Sequence, residues 1–199
     1  MIQLYLRMRY ILIALIFWSQ SSLGQGDSTI HFKELGLTIQ LPSDYKIADT
    51  TVLAEVTKDT KKTYNEVMKK DVNISFIKNL IIARKDGVSF FALDYNTSPK
   101  ITKDNWKQVN KSDKVVWLRT FDRDFETKAD TSNSIVIIDN VKFLKYQLKY
   151  VADDKLIIYM IYLTTFYKDH YIGINYFYGD NSKNGEELEN MLKTSKFDK

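Results

Sequence analysis

The side chains with the widest chemical scope in this sequence are two histidines, His31 and His170, and a large set of carboxylates. A serine–histidine–acid site needs a histidine held beside a serine. His31 falls in a short strand-like run, and His170 in a polar break, Lys168-Asp169-His170, between two apolar runs. A strand position and a solvated turn are the expectations for the two, although His170 beside Asp169 has the chemistry of a base or a metal ligand. There is no G-x-S-x-G elbow, and no phosphate-binding or dinucleotide-binding glycine loop. Cysteine is absent, which removes thiol nucleophiles, thiolate metal sites and iron–sulfur clusters. Histidines outside any H-E-x-x-H pattern leave zinc without a ligand set. The segment Asp180-Asn181-Ser182-Lys183-Asn184-Gly185 places oxygen side chains and a glycine as the first half of a calcium loop does. Leu188 and Met191 then occupy the later ligand positions, so a turn entering a helix is expected, with Glu186 and Glu187 favoured by the helix dipole. Asp122, Asp124 and Glu126 alternate without a following glycine and read as the polar end of a helix. Glycosidase chemistry needs two carboxylates across a cleft, a pairing that depends on the fold. No catalytic, cofactor-binding or metal-binding residue is assigned from these patterns.

The elements that would position any site are clearer. From Leu156 to Tyr178 the chain reads LIIYMIYLTTFYKDHYIGINYFY. Successive strand side chains point to opposite faces, and in the first half of this stretch both sets of alternate residues are largely apolar. Such a strand must be covered on both sides. In the second half Ile172, Ile174, Tyr176 and Tyr178 make a greasier face than Tyr171, Gly173, Asn175 and Phe177. The pair is predicted to be an antiparallel hairpin at the centre of a sheet. Tyr146, Tyr150, Tyr159, Tyr162, Tyr171, Tyr176 and Tyr178 supply more hydroxyls than a dry core accommodates without partners; packing under helices with hydroxyls at the rim is expected, the alternative being that some line a groove for a ligand or protein.

Before that hairpin, Ile30–Lys33 and Leu37–Leu41 are predicted strands, and Thr51–Lys70 a helix with Val52, Leu53, Val56, Thr60, Thr63, Tyr64 and Val67 on one stripe. Lys58, Lys62 and Lys69 read as its solvated face. Asn79–Arg84 and Val88–Tyr95 flank Asp86-Gly87, a hairpin signal. A second helix is predicted from Lys103 to Phe125, with Thr102 as cap and Trp106, Val109, Val116, Trp117 and Phe121 facing inward. Asp113 interrupts that stripe and suggests a bend or a wetter end. Asp130–Ser134 reads as a loop, followed by strands Ile135–Asp139 and Val141–Val151 and a turn at Asp153-Asp154-Lys155. Leu188, Met191, Leu192 and Ser195 face inward from a last helix, with Phe197 beneath it. The order β-β-α-β-β-α-β-β-β-β-α implies an α+β fold: an α/β/α sandwich with a central, mainly antiparallel sheet. The stretches GLTIQLPSDYKI, KNLIIARKDGVSFFALDYN and YIGINYFYGDNSKNGEELENMLKTSKF resemble the PsbP-like fold superfamily. That resemblance covers nearly all of Leu37 to Phe197. It implies a non-enzymatic binding or assembly domain and carries no family-wide catalytic motif.

The N-terminus has three parts: a basic start with Arg7 and Arg9, an apolar core from Tyr10 to Trp18, and a small polar stretch from Ser19 to Gln25. This is the layout of a secretory signal peptide, with Ser22 and Gly24 placed for cleavage before Gln25. Residues 1–24 are therefore expected to be removed and residues 25–199 to form one domain, secreted or periplasmic, with no membrane-spanning segment. Loss of the two arginines lowers a formal net charge of +4 by two, and no basic stripe is interleaved with aromatics, so nucleic acid is not an expected partner. N-x-S triplets begin at Asn73, Asn96 and Asn110 and matter only in a glycosylating host. The sequence thus predicts an exported, monomeric or weakly associating binding domain, without a cofactor, for an envelope or extracellular protein or a small ligand. The alternative is a secreted hydrolase with a carboxylate site.

Overall fold

The computed structural model describes residues 28–69, 71–124, 130–152, 156–180 and 182–198. The leader expected over residues 1–24 and the turn at 153–155 lie outside these. Ten strands and three helices are formed among the described residues: β1 (Ser28–Phe32), β2 (Leu37–Leu41), β3 (Lys46–Ile47), α1 (Thr50–Met68), β4 (Ile77–Arg84), β5 (Phe90–Asn96), α2 (Trp106–Asp124), β6 (Asp130–Ile138), β7 (Val141–Ala152), β8 (Leu156–Tyr167), β9 (His170–Gly179), α3 (Ser182–Thr194) and β10 (Lys196–Phe197).

Seven strands make the main sheet in the order β3-β4-β5-β9-β8-β7-β6, every neighbouring pair antiparallel. The predicted hairpin β8–β9 lies in its interior, and Met160 to Thr165 are buried without interruption. Two-residue turns close β6–β7 and β8–β9. Asp139, Asn140, Lys168 and Asp169 all have positive φ there, as the primed turns that match strand twist require. The predicted Lys168–His170 break is thus shorter by one residue, and His170 opens β9.

Other expectations are corrected. The first two strands leave the main sheet and, with β10, build a second sheet of order β1-β2-β10. Leu37, Ile39 and Leu41 of β2 alternate inward, and the backbone of Phe197 reaches β2 at Leu37. This small sheet and α3 cover one face of the main sheet. The core lies between them: Ile39, Leu41, Phe91, Leu93, Phe143, Ile161, Leu163, Ile172, Ile174, Leu188 and Phe197 belong to one buried cluster. The sandwich is therefore mixed on that side. Asp130–Ser134 is strand, not loop, because the whole of β6 pairs with β7, from Asp130 opposite Lys149 to Ile138 opposite Val141. Strands β4 and β5 pair as the predicted hairpin around Asp86-Gly87. Residues 85–89 make its loop, in which the Asp86 carboxylate accepts from the Val88 and Ser89 amides.

The helices α1 and α2 cover the opposite face. Asp49 caps α1 by accepting from the Thr51 and Val52 amides, and Lys69 ends it in the left-handed conformation. No residue of α1 is fully buried. It meets the sheet through polar contacts such as Asn79 Nδ2 donating to Thr57 Oγ1 at 2.7 Å. The second helix starts at Trp106, later than predicted, after a turn in which the Thr102 carbonyl accepts from Trp106. The side chains of Trp117 and Phe121 lie outside the described residues.

Candidate functional site

Two acid–tyrosine regions are built on the main sheet, one on each face. The first lies under α1 and α2. Asp94 of β5 stands opposite Gly173 of β9. A Cβ on Gly173 would lie 2.9 Å from the Asp94 Oδ1, so the glycine makes room for the carboxyl. From α2, Asn110 and Asp113 are three residues apart and share a face. Asn110 is buried and donates to Thr164 Oγ1 at 2.7 Å. Asp113 accepts from the Tyr171 hydroxyl at 2.9 Å and from the Tyr64 hydroxyl at 3.2 Å. The Tyr162 and Tyr171 hydroxyls are 3.5 Å apart. The bend expected at Asp113 is thus a polar junction tying α1, α2 and β9 together.

Electrostatics follow from this enclosure. Burial, and secondarily the charge of Asp113, pushes the Asp94 carboxyl up to about 7. Burial also raises Asp113, against the hydrogen bonds from Tyr171, Tyr64 and Tyr162 that favour its charged form. Burial raises Tyr64 and Tyr162 well above the usual tyrosine range, with acidic neighbours adding to it. The Asp94 carboxyl makes no hydrogen bond among the described residues, so burial acts on it with no donor to offset it.

The second region is a cleft of about 240 Å³ at the far end of β8 and β9. It is lined by Tyr159, Tyr178, Asp180, Gly185, Glu186 and Glu189. The rings of Tyr159 and Tyr178 stack with centroids 5.1 Å apart and planes 20° from parallel. Gly185 lets α3 close on the ring, since a Cβ there would lie 2.7 Å from Tyr178. Glu189 is engaged by Lys145 at 3.5 Å, and Lys149 reaches the Tyr159 ring at 5.9 Å. Asp180 and Glu186 are exposed, and their side chains carry no ion pair among the described residues. Burial raises the Tyr178 hydroxyl, and the Glu189 charge adds to it. Chemically this is a small, open, acidic pocket with an aromatic floor, suited to a cation.

No family model and no curated protein matches the chain. Among solved structures, the chain is similar to cyanobacterial PsbP (CyanoP) from Synechocystis sp. PCC 6803, with a TM-score of 0.54 and 7% identity, covering 92% of this chain and 99% of that one. The chain has a PsbP-like fold.

On this PsbP-like frame the residues singled out in the sequence scatter. His31 is exposed, its Nδ1 3.0 Å from Thr38 Oγ1 and its Nε2 4.0 Å from the Asp198 carboxylate. His170 is not in a solvated turn: its ring packs 5.0 Å from Tyr95, and its Nδ1 is buried without a partner. The Asp180–Gly185 segment enters a helix as expected, with α3 already begun at Ser182. Its Asn184 turns inward, donating to Asp86 Oδ2 at 2.9 Å and Ser89 Oγ at 2.7 Å. The Asp86 carboxyl is resisted by burial, yet hydrogen bonds from Ser89, Val88 and Asn184 outweigh that and hold it below the usual carboxylate range. Lys85 completes the lock with Asp44 at 2.6 Å and Glu187 at 2.5 Å. Asp122, Asp124 and Glu126 lie outside the described side chains. Of the triplet asparagines, Asn110 is buried, while Asn73 accepts from the Ser75 amide. The tyrosines separate by face. Tyr146, Tyr150, Tyr162 and Tyr171 lie under the helices α1 and α2, and Tyr159, Tyr176 and Tyr178 on the side of α3. Sequence reasoning missed Asp94, Asp113 and Gly173 as a group, having only the aspartate in an apolar stripe as a signal. Among the described residues no helix is long and apolar enough to cross a membrane, and no group of three or more His, Asp or Glu could hold a metal.

Proposed function

We propose that this chain is an exported, non-enzymatic binding domain that captures a basic side chain of a protein partner in the Tyr159–Tyr178 cleft. The observation that carries this is the pairing of a tyrosine floor with two acids, Asp180 and Glu186, that no lysine or arginine neutralises among the described residues. A guanidinium or ammonium over a tyrosine face gains roughly 0.5–1 kcal/mol at an exposed site and more when desolvated. At about 240 Å³ the cleft is smaller than the roughly 300–1,000 Å³ of small-molecule sites, which favours one side chain presented by a protein. Export rests on the leader pattern of residues 1–24, and the PsbP-like fold is in keeping with a binding or assembly role. A pull-down from envelope extract tests the proposal. The wild-type chain should recover a partner that Tyr178→Ala and Glu186→Lys both lose; equal recovery by all three would reject it.

A second reading has its own observation. Asp94 and Asp113 bring two carboxyls under α1 and α2, as a hydrolase would require. Asp113 is committed to two tyrosine hydroxyls, leaving Asp94 alone to act. Turnover in a hydrolase screen that disappears in Asp94→Asn, with the fold intact, would establish this reading against the first.

A further inference from the structure

The main sheet ends in two unlike edges. One is β3, two residues long. The other is β6, nine residues from Asp130 to Ile138, whose outer side carries no strand among the described residues. Natural edge strands are blunted by shortness, lysine, proline or a bulge. Strand β3 is short, but β6 has none of these devices. Thr131 to Ile138 reads TSNSIVII, without charge or proline, and its register with β7 is unbroken. Ile135 and Ile137 are 64% and 60% exposed, more than any other large hydrophobic among the described residues. They lie two residues apart and so share one face of the strand, the face also occupied by Leu144 across from Ile135.

We infer that the β6 edge is a homodimer interface, pairing antiparallel with β6 of a second copy about a two-fold axis at Val136. The occupant follows from the strand itself. Residues opposite each other in an antiparallel pair share a face. Centring the two-fold on Val136 sets each Ile135 against Ile137 of the other copy, so both isoleucines are covered twice over by the same contact. Moving the centre by one residue sets Ile137 against Asn133 and loses half of this match. A self-pairing strand must also avoid facing like charges, and β6 is uncharged from Thr131 to its end. An isologous contact of this kind closes at two copies, so it gives a dimer and not a fibre.

Sedimentation equilibrium of the purified protein across micromolar to submillimolar concentration should show a monomer–dimer equilibrium. Ile137→Lys should be monomeric, with the unfolding midpoint that the wild type has at concentrations where it too is monomeric. Because the chain has no cysteine, the register can be read directly. An equimolar mixture of Ile135→Cys and Ile137→Cys proteins should form an oxidised heterodimer in several-fold excess over either variant alone. A wild-type protein monomeric at all concentrations, or a dimer that Ile137→Lys leaves intact, would overturn the inference. Crosslinking no greater in the mixture than in the single variants would overturn the register.

Discussion

The acid–tyrosine region under α1 and α2 and the cleft beside α3 use the same residue types on opposite faces of one sheet, to opposite ends. Under the helices, Asp113 is held by Tyr64 and Tyr171, Asn110 by Thr164, and Asp94 fills the space above Gly173. At the cleft, Asp180 and Glu186 face solvent and have no ion-pair partner among the described residues. A buried polar group must be satisfied within the fold or it costs stability, so the enclosed set ties elements together. An open set of charges contributes little to stability and is available to a partner. The contrast separates an acid cluster that holds a fold from one that can recognise something.

Substitutions test this contrast. The largest effect is expected at Gly173→Ala, whose Cβ would press on the Asp94 carboxyl at 2.9 Å. Overpacking of this kind costs about 1–3 kcal/mol, read as a shift in the urea midpoint. The cost should shrink when Asp94→Ala is added. An undiminished cost in the double variant would mean that the carboxyl is not what fills the space.

Next is Tyr171→Phe, which deprives Asp113 of a donor at 2.9 Å. Removing one partner of a buried hydrogen bond costs about 1–3 kcal/mol, toward the lower end here because Tyr64 remains. Tyr178→Phe in the cleft should change the urea midpoint by no more than about 0.5 kcal/mol, as surface changes do. Equal costs at the two tyrosines would erase the distinction between the faces.

Asp94→Asn should alter the pH profile. The folded chain holds the Asp94 proton to about pH 7, against an ordinary value of 3.8. Between those values the folded state binds more proton than the unfolded chain. Wild-type stability should therefore fall as pH rises from about 4 to about 7 relative to Asp94→Asn, and the difference should level above that. Parallel profiles for the two proteins would show that Asp94 ionises as it does in water. The smallest stability effect is expected at Glu186→Gln, within about 0.5 kcal/mol of wild type, yet this variant should weaken binding of a basic peptide at low salt.

The β8–β9 hairpin and the inward residues of α3 were legible because their cues are local: unbroken apolar alternation, and Leu188, Met191 and Leu192 at helical spacing. Strand β6 was not. Asp, Ser and Asn are turn formers in isolation, and only pairing with β7 makes DTSNS extended. The second sheet was hidden for a similar reason, since β10 is two residues long and meets β2 from the other end of the chain. Asp113 was visible as an anomaly but not interpretable, because its donors lie 49 and 58 residues away. Asn184 matched a calcium motif by composition, while its partners Asp86 and Ser89 sit in a loop nearly a hundred residues earlier. Gly173 gave no sign at all: a glycine in a strand acquires meaning only when the residue across from it is known.

On the proposed function, recognition belongs to the open cleft and not to the enclosed cluster. Titrating the isotope-labelled protein with a hexa-arginine peptide while recording backbone amide shifts tests it directly. Saturable, salt-sensitive shifts are expected, concentrated at Tyr159, Tyr178, Gly185 and Glu186, with Asp94, Asp113 and Gly173 unmoved. Shifts centred on Asp94 and Gly173, or no saturable shift at low salt, would contradict the proposal.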